Sequence, residues 1–257
     1  MTAIHTETLR EQVRDLYRDV ALDPGAEYHF DTGRPVAELL GYPREWLDLV
    51  PPRALASFAG VGHMLDLAAI AGGEVVLDLG SGSGTDAFIA AHLVGGAGRV
   101  VGVDMTHGQL AKARLLRDRV GLRQLSFFEG FVEEPPAEPG SADVVISNGV
   151  INLAPDKARV FRAAAQALRP GGRLAIADIV SARPLIERTR SNVNLWAACI
   201  AGAVPREEYL AAIDAAGLRV EVVRENPAYV FRSPRAREAA AKYGVASVSI
   251  LASKPAV

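Results

Sequence analysis

Val75-Val76-Leu77-Asp78-Leu79-Gly80-Ser81-Gly82-Ser83-Gly84 is a short, mostly apolar run that closes on three glycines at alternate positions. A run this short and apolar reads as a strand buried on both faces, the habit of parallel sheets. Residues 85–94 read as a helix directly after it. Strand, glycines, helix: that order puts Gly80, Gly82 and Gly84 at the carboxyl edge of the first strand. Glycine there permits a tight turn and lets a ligand touch backbone. The helix then presents unpaired N–H groups toward a negative ligand group.

The pattern repeats toward the C-terminus. Val100 to Asp104 reads as a second strand, followed by a helix over 106–120. Leu125 to Phe128 is a third strand and Asp143 to Ser147 a fourth, with a helix over 155–168. Arg169-Pro170-Gly171-Gly172 reads as a turn, and Arg173 to Ile179 as a fifth strand. Residues 184–199 and 205–216 read as helices, with Gly217 closing the second. Leu218 to Val223 and Val245 to Leu251 look like the last two strands, around a helix near 234–243. This alternation predicts an α/β fold, a mostly parallel seven-stranded sheet flanked by helices.

Upstream the pattern differs. Residues 6–20 form an amphipathic helix on Leu9, Val13, Leu16, Tyr17 and Val20. Residues 34–70 read as short helices broken by Gly41-Tyr42-Pro43 and Val50-Pro51-Pro52. The division expected is a helical N-terminal cap or lid over 1–70 and a core over 71–257. Within the core, 181–204 is expected as an insertion at the substrate site.

Net charge is −2, which gives no electrostatic reason to expect nucleic acid or a membrane surface as partner. No apolar run approaches the ~20 residues of a membrane span. The first residues have no apolar core of a secretory leader. One cysteine, Cys199, allows no internal disulfide. A reducing cytoplasm is the expected location, with a monomer or homodimer as the assembly. No metal-ligand set is read.

Two acidic residues frame the glycine loop. Asp78 ends the first strand and is suited to a cationic ammonium. Asp104 ends the second, where it can accept from both hydroxyls of a ribose. A nicotinamide dinucleotide would ask for G-x-G-x-x-G, but the position of the third glycine holds Thr85. The G-x-G-x-G spacing favours an amino-acid-bearing nucleoside instead.

Val76 to Gly84 resembles motif I of class I S-adenosylmethionine-dependent methyltransferases, which have a Rossmann-like fold. More narrowly, the chain resembles the arsenite methyltransferase family. The likeness lies in Glu38 to Pro43, Ser57 to Gly62, Val101 to Thr106, Asp143 to Asp156 and the stretch from Phe231 onward. It implies S-adenosylmethionine as cofactor and S-adenosylhomocysteine as product. The implied cofactor residues are Asp78, Gly80, Ser81, Gly82, Gly84, Asp104, Met105, Gln109, Gly130, Phe131, Val132 and Asn148. Asn148 is expected to face the methionine part and the reacting methyl group. The resemblance also carries a departure. The family holds arsenic through several cysteines, and one of their positions is Gly149 here while another keeps Cys199. A thiophilic centre needs soft ligands, and one thiol cannot chelate it.

Methyl transfer chiefly requires positioning of the nucleophile and exclusion of water. His63 and Asn148 are the catalytic candidates. Tyr17, His29, His63, Gly149, Asn152, Trp196 and Cys199 are the substrate candidates, with Tyr17, Trp196 and Asn194 ranked below the histidines and His107 expected on the surface or at the adenine side. Gly149, lacking a bulky thiol, is expected to leave room. The acceptor favoured by these residues is a small organic molecule, possible in specialised metabolism. The alternatives are arsenite or methylarsenite, and a cofactor-binding cyclase or regulator that transfers no methyl group.

Overall fold

The computed structural model describes residues 6–28, 30–186 and 200–256. Its strands form where the apolar runs lie. They are β1 (Val75–Leu79), β2 (Arg99–Asp104), β3 (Leu125–Glu129), β4 (Ala142–Asn148), β5 (Leu168–Val180), β6 (Arg219–Glu225) and β7 (Ala246–Ser253). They form one sheet in the order β3-β2-β1-β4-β5-β7-β6. The first five are parallel, and β7 enters antiparallel between β5 and β6. Val76, Leu77, Leu79, Val144, Val145 and Ile146 of the central strands are buried. The edge strand β6 alternates exposed and half-buried residues, as a strand with one wet face must. The strand order reverses between β1 and β4, so connections leave their carboxyl ends in opposite directions and open a crevice there.

Helices cover both faces. α6 (Thr85–Val94) is buried almost all round, with Phe88 and Ile89 sealed between sheet and cap. α7 (His107–Val120) and α10 (Pro234–Tyr243) share that face, while α8 (Lys157–Ala167) and α9 (Arg206–Ala215) cover the other. The N-terminal part supplies α1 (Thr6–Leu22), α2 (Arg34–Leu39), α3 (Arg44–Leu47), α4 (Pro52–Leu55) and α5 (Leu65–Ala68). Leu9, Val13, Tyr42, Leu47, Phe58 and Met64 of this part join Phe88, Ile146 and Ala177 in one apolar cluster. The cap therefore shares its core with the sheet. Polar ties add to this: Lys112 Nζ donates to Ala21 O (3.0 Å) and Ser57 Oγ (2.7 Å). No helix among the described residues is long and apolar enough to cross a membrane.

One expectation changes. The fifth strand starts at Leu168, before the expected turn. Its register against β4 jumps from the Ala142–Leu168 pair to Val144–Arg173, so the Pro-Gly-Gly stretch is a bulge within the sheet. Gly171 N donates to Lys254 O (3.0 Å) and Lys254 N to Gly172 O (2.8 Å), which keeps the bulge stitched to the chain end. The helix expected over 184–199 falls mostly outside the described residues, and 184–186 are not helical.

Gly84 caps α6 at φ 97°, and a Cβ there would stand 2.8 Å from Phe127 Cζ and 3.1 Å from Phe88. Gly84→Ala therefore adds left-handed strain to a steric clash in a packed core. The expected loss is about 2–4 kcal/mol of unfolding free energy. Urea denaturation checks it; an unchanged midpoint would contradict the packing described.

Candidate active site

The crevice at the carboxyl ends of β1, β2 and β4 holds a cavity of about 1000 Å³, counting its open mouth. The glycine loop forms its floor, and Arg10, Val13 and Tyr17 of α1 face it from the cap side. The loop is pinned to β2: Gly80 N and Ser81 N both donate to Val103 O, at 2.7 and 3.0 Å. Gly82 N donates to Asp104 Oδ2 (2.9 Å), and Thr106 N to Asp104 Oδ1 (2.8 Å). The Asp104 carboxylate is thus fixed in orientation while keeping free lone pairs. Ser83 Oγ donates to Gln109 Oε1, and Gln109 Nε2 to Tyr17 O (2.9 Å), so loop, α7 and α1 are joined.

The wall is acidic. Asp78 is 3% exposed, and its Oδ2 has no hydrogen-bond partner. Burial first, then the charges of Asp86 and Asp104, push its carboxyl well above the usual range. Asp86, in the first turn of α6, is pushed up to about 6 by burial, against the opposing hydrogen bonds of Tyr42 and Asn148. Burial also raises Asp104, against the amides that hold it. Arg10 is the one cation among the described lining residues. It pairs with Glu133 at 3.1 Å and lies 3.9 Å over the Phe131 ring. Ser81 Oγ is a second buried polar atom without a partner. Apart from Arg10, the charge of this wall suits a cationic guest, and its orphan oxygens await donors.

Asn148 ends β4 and faces the cavity, with its amide engaged on every side. Its Oδ1 accepts from Val61 N (2.8 Å). Its Nδ2 shares two hydrogens among Gly62 O (2.9 Å), Tyr42 Oη (3.0 Å) and Asp86 Oδ2 (3.2 Å). Tyr42 in turn donates to Asp86 Oδ1 at 2.6 Å.

The structure brings Asp78, Gly80, Ser81, Gly82, Asp104, Met105, Gln109, Gly130, Phe131, Val132, Asn148 and Tyr17 to one cavity. Gly84 sits just behind it, beneath Phe127. Other candidates are not brought there. His63 packs its ring on Tyr42 (4.4 Å) and Trp46 (5.8 Å), and does not line the cavity. Burial lowers its pKa, so it stays neutral inside the cap. Asn152 is fully buried behind the rim, its N donating to Asp178 Oδ2 at 2.8 Å. Gly149 leaves no room: at φ 74°, its Cβ would meet Val61 Cγ1 at 3.1 Å. His107 lies on the surface beside Glu129, as expected. His29, Asn194, Trp196 and Cys199 lie outside the described residues.

Sequence reasoning missed Arg10, Tyr42, Asp86 and Glu133. Arg10 carries a readable signal, since it shares the face of Val13 and Tyr17 at helical spacing. Asp86 does not, because an acid in a first helical turn is ordinary complement to the helix dipole.

Comparison with known proteins bears on the guest. Residues 70–221 match a family described as a methyltransferase domain. An arsenite methyltransferase of Halobacterium salinarum is 36% identical over 97% of this chain and 68% of its own length. One from Aquipseudomonas alcaligenes is 42% identical over 62% of this chain and 47% of its own length. The chain thus spans about half the length of that second relative. A crystal structure of an arsenic(III) S-adenosylmethionine methyltransferase from Chlamydomonas reinhardtii superposes with a TM-score of 0.68 at 34% identity. It covers 82% of this chain and 72% of the other.

Asp86 yields a test of the wall. Its folded pKa of about 6 lies above the ordinary 3.8, so the stability it contributes is complete below the ordinary value. That contribution is lost as pH rises through about 6. Relative to Asp86→Asn, the wild type should therefore lose about 2–3 kcal/mol between acid and neutral pH. Denaturation of both proteins across that range checks this; a gap independent of pH would refute the burial of the charge.

Proposed function

The chain belongs to the methyltransferase domain family, as a class I S-adenosylmethionine-dependent methyltransferase. On that premise we propose that its acceptor is a small molecule with a lone pair already free at neutral pH, thiol-bound trivalent arsenic foremost. The observation that carries this is the wall itself: among the described lining residues there is no histidine, lysine or cysteine. The carboxylates there are engaged, Asp104 by backbone amides, Asp86 by Tyr42 and Asn148, and Glu133 by Arg10, with Asp78 left for the donor's ammonium. An alcohol or ammonium acceptor ordinarily needs a base to take its proton. Trivalent arsenic has a lone pair and needs none. The names of the relatives at 36% and 42% identity support the same choice.

S-adenosylmethionine fits the residues present. When bound, it supplies an electrophilic methyl group on a sulfonium. Asp78 would hold its ammonium through the orphan oxygen, and Asp104 its ribose hydroxyls through the lone pairs left by Gly82 and Thr106. Met105 and Phe131 would flank the adenine. Val150, Leu153, Ala154 and Pro155 form an apolar rim that excludes water. Asn148 positions the 60–62 loop and acts through it, because its own amide is engaged. With Cys199 the sole cysteine, further soft ligands for arsenic must arrive with the substrate as thiols.

A second reading is an organic acceptor with an activated carbon. It rests on Gly149, where the resembling family carries a thiol, and on the single cysteine.

Purified protein supplied with S-adenosylmethionine, arsenite and glutathione should form methylated arsenic, read by chromatography with arsenic-specific detection. Cys199→Ser should lower that rate roughly tenfold or more if its thiol is a ligand. No methylated arsenic, together with turnover on an organic acceptor, would select the second reading.

A further inference from the structure

Asp78 from β1, Asp86 from α6 and Asp104 from β2 all line one cavity. Their surroundings differ. Asp104 is held by two backbone amides, and Asp86 by the Tyr42 hydroxyl and the Asn148 amide. Asp78 Oδ2 has no partner although the residue is 3% exposed. No cation among the described lining residues compensates these carboxylates, because Arg10 is matched by Glu133. The remaining titratable groups facing the cavity among the described residues are the phenols Tyr17 and, through Asp86, Tyr42. Carboxylates crowded in a buried wall do not all ionise together, so a proton is retained, and the least solvated member is where it rests. Burial and the neighbouring charges place it on Asp78.

The methyl donor carries an ammonium and a sulfonium against one carboxylate. Its demethylated product keeps the ammonium but has a neutral thioether. Both would bring the ammonium to Asp78, and the donor alone adds a second positive charge, the sulfonium, to the field of this wall. We propose that Asp78 and Asp86 form a charge-reading pair: their retained proton leaves to solvent as the cationic donor binds, and returns once the sulfonium is gone. The pair would then favour donor over product, a selectivity that apolar contacts with the shared adenosine cannot provide. The proposal rests on this cavity being the donor site.

Titration calorimetry in buffers of different ionisation enthalpy counts the protons directly, without turnover. Near neutral pH, binding of S-adenosylmethionine should release a fraction approaching about one proton, and S-adenosylhomocysteine clearly less. Asp78→Asn, a neutral isostere of the protonated acid, should erase the difference. Equal release for both ligands, or a difference that survives in Asp78→Asn, would overturn the proposal while leaving the donor site intact. If Asp78→Asn does not fold, wild-type affinities across pH decide. The donor should tighten by up to about tenfold per pH unit below the titration range, with the product following a shallower slope. Parallel slopes would overturn the pair. Failure of the wild type to bind the donor in any buffer would overturn the site assignment and the proposal together.

Discussion

One backbone carbonyl, that of Val103, accepts from two consecutive amides of the glycine loop, Gly80 and Ser81. With Gly82 N on the Asp104 carboxylate, three successive amides tie the end of β1 to the end of β2. The loop cannot lift without breaking all three. Its fixed path sets where α6 begins, and so where Asp86 meets the cap. It also leaves Asp104 already oriented, so no rearrangement of that carboxylate is needed when a guest arrives. Preorganised polar groups of this kind do not have to be reordered at the moment of reaction.

The 60–66 segment beside the cavity is held just as firmly from other directions. Val61 N and Gly62 O are bound by Asn148, while Ser247 Oγ donates to Val61 O at 2.6 Å. Arg224 on β6 reaches back to His63 O (2.7 Å) and to Asp66. The antiparallel pair β6–β7 thus clamps the 60–66 segment onto β4. Tyr42 and Asp86 join this clamp to α6. Placement of two reactants within near-attack distance is the main demand of methyl transfer. Here the two halves of the cavity share one polar framework.

Much of this was legible in the sequence, for identifiable reasons. The short apolar runs at 75–79, 100–104 and 142–148 are pure strand patterns, because parallel strands bury both faces. The places of Asp78 and Asp104 in the cavity wall were readable because they follow from strand ends and glycine spacing. His63 was misread because proximity in sequence to the Gly60–Gly62 break says nothing about which way the ring turns; it turns into Tyr42 and Trp46. Asn152 lies within a matching stretch, yet its backbone is turned toward Asp178 beneath the rim. Tyr42 lay inside a quoted segment and had no assigned role. Its partner Asp86 is distant in sequence, and no local pattern reports such a pairing.

Gly149 and Val61 carry a consequence for how such a site changes over generations. The Cβ that any other residue would bring to position 149 meets Val61 Cγ1 at 3.1 Å, on a backbone at φ 74°. A thiol introduced there alone would be strained and crowded. Trimming position 61 removes the crowding and leaves the backbone strain. The two positions are therefore epistatic, and the order of substitution matters. Position 149 is thus coupled to position 61 by a single close contact, while its backbone strain belongs to it alone.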